Sequence, residues 1–569
     1  PRTTLSDDRR QRQMCIRDSF MTGRFNVRSG VSQGDKFIMS DKDKLNRVLN
    51  SPKVSRREFI QYAVAGGVAA GLAGSMFDKA KAATPKKGGH YINSLTGGGT
   101  KDVLDPAQTN DSFMINVGNQ LRNNLTEMSP DGQLRSELAE SWESSDAKNW
   151  AFKLRKDVEF HNGKTLDAKD IVASFNHHRG EDSKSGAKGL VKQIKDVKAD
   201  GDMVMFELEG GNADWPFIVS DYHLMICPAK DDGKMAWEDG VGTGGYSLEK
   251  FEPGVATQVK RNPNYWKENA AYFESIENLF VADANARTTG VRTGALYSMS
   301  NLDLKTVALL ERDPNVDIRP VTGNKHAVLP MHCDTSPFSD NNVRMALKHA
   351  INREEYVKKI LLGQGEVGND SPVGPANIYR ATPEEMPQRV YDPEKAKSFL
   401  KKAGMENLKV DLSVADTAFE GAVDAAQLFA ESCKAAGITI NVVREADDAY
   451  WDDVWLKKPF IGGYWGGRPT EDWVFSQIYS KGADWNESKW DNDRFNELLV
   501  QARSELDAAK RREMYVEMQK LVRDDGGTII PMFMAYTHAV SKKISTPEKW
   551  ANNWELDGHK NGERWWMAE

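Results

Sequence analysis

Cysteine is scarce in this chain. There are 4 in 569 residues, and the three beyond the N-terminal region, Cys227, Cys333 and Cys433, stand far apart. That spacing excludes a disulfide framework and any Cys-x-x-Cys metal or redox motif. A basic excess is also missing: 76 lysines and arginines face 83 acidic residues, for a net charge of −7. A phosphate-seeking surface, and with it nucleic-acid binding, is therefore disfavoured. The apolar stretch Tyr62–Phe77 is made largely of glycine and alanine, too short and too weakly apolar for the roughly 20 residues of a membrane helix. None of the ten histidines opens a His-Glu-x-x-His zinc pattern, and Ala83–Glu569 contains no Gly-x-Ser-x-Gly nucleophile turn. The residues therefore call for no metal and no cofactor.

What is present begins at the N-terminus. Residues 1–38 look unrelated to the rest, with Gln13–Ser19 resembling a translated sequencing adapter, and are set aside as non-native. From Met39 a polar segment ends in Ser55-Arg56-Arg57-Glu58-Phe59-Ile60. The apolar run follows, and then Ala80-Lys81-Ala82 with small residues at signal-peptidase positions. This order reads as a twin-arginine export signal over 39–82. No cysteine follows the run, so the expected mature chain, Ala83–Glu569, is soluble and periplasmic without a lipid anchor.

The mature chain reads as mixed α/β. A short strand, His90–Leu95, leads into Thr96-Gly97-Gly98-Gly99, and a helical region is expected from Leu104 to about Thr126. Trp150, Phe152 and Leu154 alternate with polar residues, as strands do. Asn162-Gly163 supplies a tight turn, and Asp167 is a candidate cap for the next helix. His177 and His178 are adjacent, so on a helix they diverge; exposure or capping is expected rather than metal ligation. In the second half, Asn352 and Glu355 form a capping box, and Asp392-Pro393 starts a helix that Ala403-Gly404 stops. A strand over Leu408–Val414, a helix over Gly421–Ala436 and a strand over Ile438–Val443 make a βαβ unit with parallel pairing. Two more helices precede Thr528–Phe533, read as a strand returning to the first lobe.

The stretch Phe460–Asp472 stands out. Four glycines allow close backbone approach, Tyr464 and Trp465 offer rings, and Arg468 lies between glycine and proline with no acid nearer than Glu471. A guanidinium so placed suits a carboxylate or phosphate. The plainer alternative is a surface turn with a solvated arginine. Glu471-Asp472 could be an acid/base pair, but without a partner base a turn is the better reading.

Several blocks then resemble one family. Leu138-Ala139-Glu140-Ser141-Trp142 and Phe152–Lys164 are similar to the signature of family 5 extracellular solute-binding proteins, the dipeptide, oligopeptide and nickel receptors of ABC importers. Gly242-Thr243-Gly244-Gly245-Tyr246 resembles its Gly-Thr-Gly-Pro-Tyr turn, and Ser336–Leu347 its helix start. The resemblance implies a periplasmic binding protein-like α/β fold of class II type, two lobes around a hinge with a small α+β insert. Domain I would comprise 83–127, 239–323 and 529–569, domain II 128–238 and domain III 324–528. It also implies a monomer that captures a peptide or small solute between lobes and delivers it to permease and ATPase subunits, without chemistry on the ligand.

In peptide-binding members the matching loop carries an aspartate three residues after a tryptophan, where the peptide's α-amino group docks. Counting from Trp465, that position here is Arg468, a charge reversal that implies an anionic or opine-like ligand group. A longer loop would instead make Asp472 the anchor. Tyr464, Trp465, Gly466 and Gly467 would form the wall, Thr96 and Gly97 the N-terminal loop lining the pocket, and His332 stands where many members carry asparagine. A plain peptide receptor with Arg468 on the C-terminal carboxylate, an exported enzyme, and a nickel or haem carrier are the alternatives.

Overall fold

The computed structural model describes residues 85–447 and 450–568. The excluded segment 1–38 and the export signal read over 39–82 lie outside the described residues.

Helices start where the capping signals place them. Asp167 and Asp170 form a reciprocal capping box on Ala168–His177. Asp392 caps Pro393–Ala403, which stops at left-handed Gly404. Asn352 accepts the Glu355 N–H at 3.2 Å and opens Arg353–Lys359. The helix expected from Leu104 begins later, at Ser112–Leu121, because Asp111 caps it by accepting the Met114 N–H.

Four antiparallel strands form one sheet, in the order Ala139–Glu143, Asn149–Leu154, Met203–Leu208 and Ile194–Asp200. Trp150, Phe152 and Leu154 point inward and pack with Phe206 and Trp215. The Asn162-Gly163 turn is closed by Phe160 N–H donating to the Lys164 carbonyl at 2.8 Å, with Gly163 at φ 83°. His161 beside it is structural: its Nδ1 accepts the Gly242 N–H at 3.3 Å and its Nε2 meets the Gly244 carbonyl at 3.1 Å. Gly242 and Gly244 are required there, since a Cβ would fall 2.1 Å from the Leu121 carbonyl or 2.4 Å from that of Gln120. Of the adjacent histidines, His177 pairs with Asp105 at 2.9 Å. His178 is fully buried rather than exposed: it sits at the helix C-cap, with Nδ1 2.7 Å from Ser185 Oγ.

A ten-stranded sheet gathers segments from the whole chain. Its path runs Gly463–Trp465, Val316–Pro330, Met532–Ser541, Ser298–Met299, His90–Leu95, Ser275–Phe280, Ala256–Arg261, Tyr246–Glu252. The run read as one strand over Thr528–Phe533 is broken at Ile530-Pro531, where proline has no N–H for the ladder. It resolves into Thr528–Ile529 and the longer Met532–Ser541. The βαβ unit is present, with Lys409–Val414 parallel to Thr439–Arg444 and helix Ala422–Cys433 between them. Leu412, Val414, Phe429 and Ile440 bury there with Ile529 and Met532. Lys87–Met567 is one compact unit, and among the described residues no helix is long and apolar enough to cross a membrane.

Candidate functional site

A cavity of about 300 Å³ lies where several separate stretches meet. Helix Ser112–Leu121 contributes Ile115 and Asn119, and the turn after helix Trp215–Ile218 contributes Ser220–His223. The loop after Gly463–Trp465 contributes Gly467, Arg468 and Pro469, with Trp473, Gln477 and Trp485 behind them. Trp554 and Lys560 complete it from the C-terminal segment.

Arg468 is positioned by its neighbours on every side. Its backbone carbonyl accepts from Asn324 Nδ2 at 3.0 Å and Asn377 Nδ2 at 3.2 Å. Its Nε donates to Gln477 Oε1 at 2.7 Å, and Nη1 reaches the Gly466 and Gly467 carbonyls only at 3.4 Å. The guanidinium lies 5.7 Å from the Trp465 ring centroid and 5.8 Å from that of Trp473. Burial draws its pKa below the ordinary arginine value, with the Tyr222 phenol acting in the opposite direction. Among the described residues no carboxylate pairs with it.

Of the other charged side chains lining the cavity, Lys560 Nζ is 2.6 Å from both Glu127 and Glu137, and Asp221 Oδ1 is 2.6 Å from His223 Nδ1. Among the described residues Arg468 is thus the cation lining the cavity that no carboxylate pairs.

Trp465 lies under Arg468 rather than on the cavity surface. Its strand pairs with Val316–Pro330, setting Trp465 opposite His326. Successive side chains alternate, so Tyr464 faces the other way; it is 41 % exposed, beside Trp451 and under Lys325. Gly467 lines the cavity, whereas Gly466 is not in its lining and meets Arg468 Nη1 through its carbonyl. Asp472 does not: it is buried in an ion pair with Arg503 Nε at 3.0 Å, which removes it as an anchor. Thr96 and Gly97 also lie off the cavity, Thr96 Oγ1 accepting from Asn301 and Gly97 pressed against Asp111. His332 lies elsewhere too, its N–H given to the Pro459 carbonyl. Sequence reading missed Tyr222, Asn119, Gln477 and Trp485, which reach the site only through tertiary folding.

Behind Arg468 sits a buried carboxyl among tryptophans. Glu487 accepts the indole N–H groups of Trp465 and Trp455, each at 3.0 Å, with no cation partner among the described residues. Burial lifts its pKa from 4.5 to about 7, and the two indole bonds act against that rise. The folded state therefore holds this proton more tightly than the unfolded chain does. The stability it contributes is full below pH 4.5 and lost as the pH rises through about 7. A difference of that size corresponds to about 3 kcal/mol. Melting temperatures of Glu487→Gln are expected to fall less steeply than wild type across that window. Parallel profiles in scanning calorimetry would contradict this account. Among the described residues no group of three His, Cys, Asp or Glu is placed to hold a metal ion.

Packed α/β layers enclose this small walled cavity. The chain belongs to the bacterial extracellular solute-binding proteins, family 5: the model of the family's middle region matches residues 133–487. It is 25% identical over 451 residues to the dipeptide-binding protein of Escherichia coli K12, covering 72% of this chain and 82% of that one. It is also 25% identical over 462 residues to the glutathione-binding protein GsiB of Escherichia coli O6:K15:H31, covering 78% and 89%. The structure of HbpA2 from Haemophilus parasuis superposes with a TM-score of 0.72 at 22% identity, over 80% of this chain and 96% of that one. The periplasmic binding protein-like α/β fold expected from the sequence is therefore the fold observed.

Proposed function

We propose that this protein is the periplasmic receptor of an ABC importer for a small peptide-like or opine-like solute bearing a carboxylate or phosphate. The observation that carries the ligand class is Arg468, the cation lining the cavity that no carboxylate pairs among the described residues. Names of relatives support the solute class, since they bind a dipeptide and the tripeptide glutathione. A cavity of about 300 Å³ lies at the small end of ligand sites, the size of a short peptide or an amino-acid conjugate. Delivery runs to permease and ATPase subunits, and the ligand leaves unchanged. The protein works as a monomer. Three domains are assigned, I over 83–127, 239–323 and 529–569, II over 128–238 and III over 324–528. Separate apolar clusters centred on Tyr91 and Trp565, on Phe152 and Phe206, and on Leu347 and Phe429 support that division.

The purified chain from Ala83 is to be screened by thermal shift against dipeptides, glutathione, opines, sugar phosphates and nickel. A ligand at 100-fold excess over its dissociation constant raises stability by ~2.7 kcal/mol. Stabilisation by an anionic solute, recovered intact by mass spectrometry, supports the reading. Stabilisation by nickel alone, or turnover of the solute, overturns it. Export through the twin-arginine route is tested by Arg56→Lys together with Arg57→Lys, which is expected to leave the precursor in the cytoplasm.

A further inference from the structure

We propose that Tyr222 is the second jaw of an oxyanion clamp, its hydroxyl donating to the same carboxylate or phosphate group that Arg468 grips. The inference rests on the anionic-ligand reading above and goes further, by naming the group that works with the guanidinium and the geometry it selects.

Tyr222 lines the same cavity as Arg468 but comes from a stretch of chain far away in sequence. Its ring is fixed on two sides. It lies on His223 with centroids 4.1 Å apart, and meets the Trp554 ring edge-on at 6.0 Å. His223 cannot drift, because Asp221 Oδ1 takes both its ring Nδ1 at 2.6 Å and its backbone N–H at 3.0 Å. On the far side Gly186 closes against it, where a Cβ would fall 2.5 Å from His223 Nε2. So much support for the ring contrasts with its hydroxyl, which has no hydrogen-bond partner among the described residues. A fixed phenol with an unspent O–H, beside a fixed guanidinium with an unspent Nη2, is a preorganised pair of donors.

Electrostatics agree with the geometry. Tyr222 and Arg468 influence each other: the guanidinium works to lower the phenol's pKa, against burial. Burial, with Asp221 adding to it, pushes that phenol up to about 12, so it stays protonated and able to donate at neutral pH. Arg468 Nε is committed to Gln477 and Nη1 leans on the Gly466 and Gly467 carbonyls, which leaves Nη2 for ligand. A planar carboxylate with two oxygens can take the guanidinium on one and the phenol on the other.

Glutathione and inorganic phosphate serve as probes, the first presenting carboxylates and the second a tetrahedral oxyanion. Trp465 and Trp473 flank Arg468, so tryptophan fluorescence follows the titration. Tyr222→Phe keeps the stacked ring and removes only the hydroxyl. It is expected to weaken binding roughly 10- to 100-fold while the melting temperature without ligand stays at the wild-type value. Tyr222→Phe combined with Arg468→Ala is expected to lose less than the product of the two single losses, since both grip one group. Weakening with glutathione alone assigns the clamp to carboxylates, and weakening with phosphate assigns it to phosphoryl groups. The clamp is overturned if Tyr222→Phe binds both probes like wild type while Arg468→Ala loses them, or if wild type saturates with neither. Unchanged binding in Arg468→Ala overturns the anionic-ligand reading itself.

Discussion

Arg468→Ala is expected to lose binding of an anionic ligand by about 2–5 kcal/mol, the cost of removing one partner of a buried charge pair. That corresponds to roughly 30- to several-thousand-fold in dissociation constant. Ligand-free stability should move little or rise. In the free protein the guanidinium is desolvated among Trp465 and Trp473 with no counter-ion among the described residues, so deleting it removes a penalty as well as two ring contacts and the Gln477 bond. This combination separates a binding role from a packing role, because a merely structural arginine would lower the melting temperature without changing ligand affinity. Arg468→Lys is expected to fall between, keeping the charge but losing the planar guanidinium whose Nε, held by Gln477, aims Nη2 for ligand. Calorimetric titration with the strongest stabiliser from the ligand screen, beside ligand-free melting curves, reads both effects. An alanine variant that binds as tightly as wild type would leave the cavity's open cation without a purpose.

The sequence carried Arg468 in plain view because its signal is local. A lone arginine between glycine and proline, three residues after a tryptophan, needs no knowledge of distant segments. Local signals also located most helix ends, through Asp167, Asn352, Asp392 and Gly404, and the turn at Asn162-Gly163. Asp472 was ambiguous for the complementary reason: its partner Arg503 is 31 residues away, and nothing near Asp472 in sequence announces it. Strand order was not legible either. Residues 90–95 sit in parallel between 275–280 and 298–299, and only then meet 532–541 across a short strand. Such long-range pairing is set by the summed burial of many segments and by no motif within them. Tyr222, Gln477 and Trp485 belong to that class, ordinary residues in their own segments that line the cavity only when distant stretches converge.

Lys267→Met is expected to destabilise the protein by about 3–5 kcal/mol. Lys267 lies in a buried network, 3.2 Å from Glu127, 3.0 Å from Glu137 and 2.9 Å from Glu563. Lys560 bridges Glu127 and Glu137, and Arg564 joins Glu127 to Asp557. Burial opposes a charge on Lys267, yet the three carboxylates outweigh it and hold its pKa well above the ordinary lysine value. Methionine fills much of the same volume but takes away the one cation in salt-bridge range of Glu563 among the described residues, leaving the more distant Lys560 and Arg564 and the Tyr265 hydroxyl at 3.0 Å. A buried carboxylate that loses its direct counter-charge is what makes a broken pair costlier than an absent one. Glu563→Gln added to Lys267→Met should therefore recover part of the loss, a non-additivity that calorimetric melting can measure. The network also has a functional face, since Glu127, Glu137 and Lys560 line the cavity. Removing Lys267 leaves that floor more negative, so anion binding is expected to weaken even at temperatures where the variant is folded. Recovery of both stability and affinity in the double variant would tie the cavity's charge balance to this network, whereas recovery of stability alone would confine the network to holding the fold.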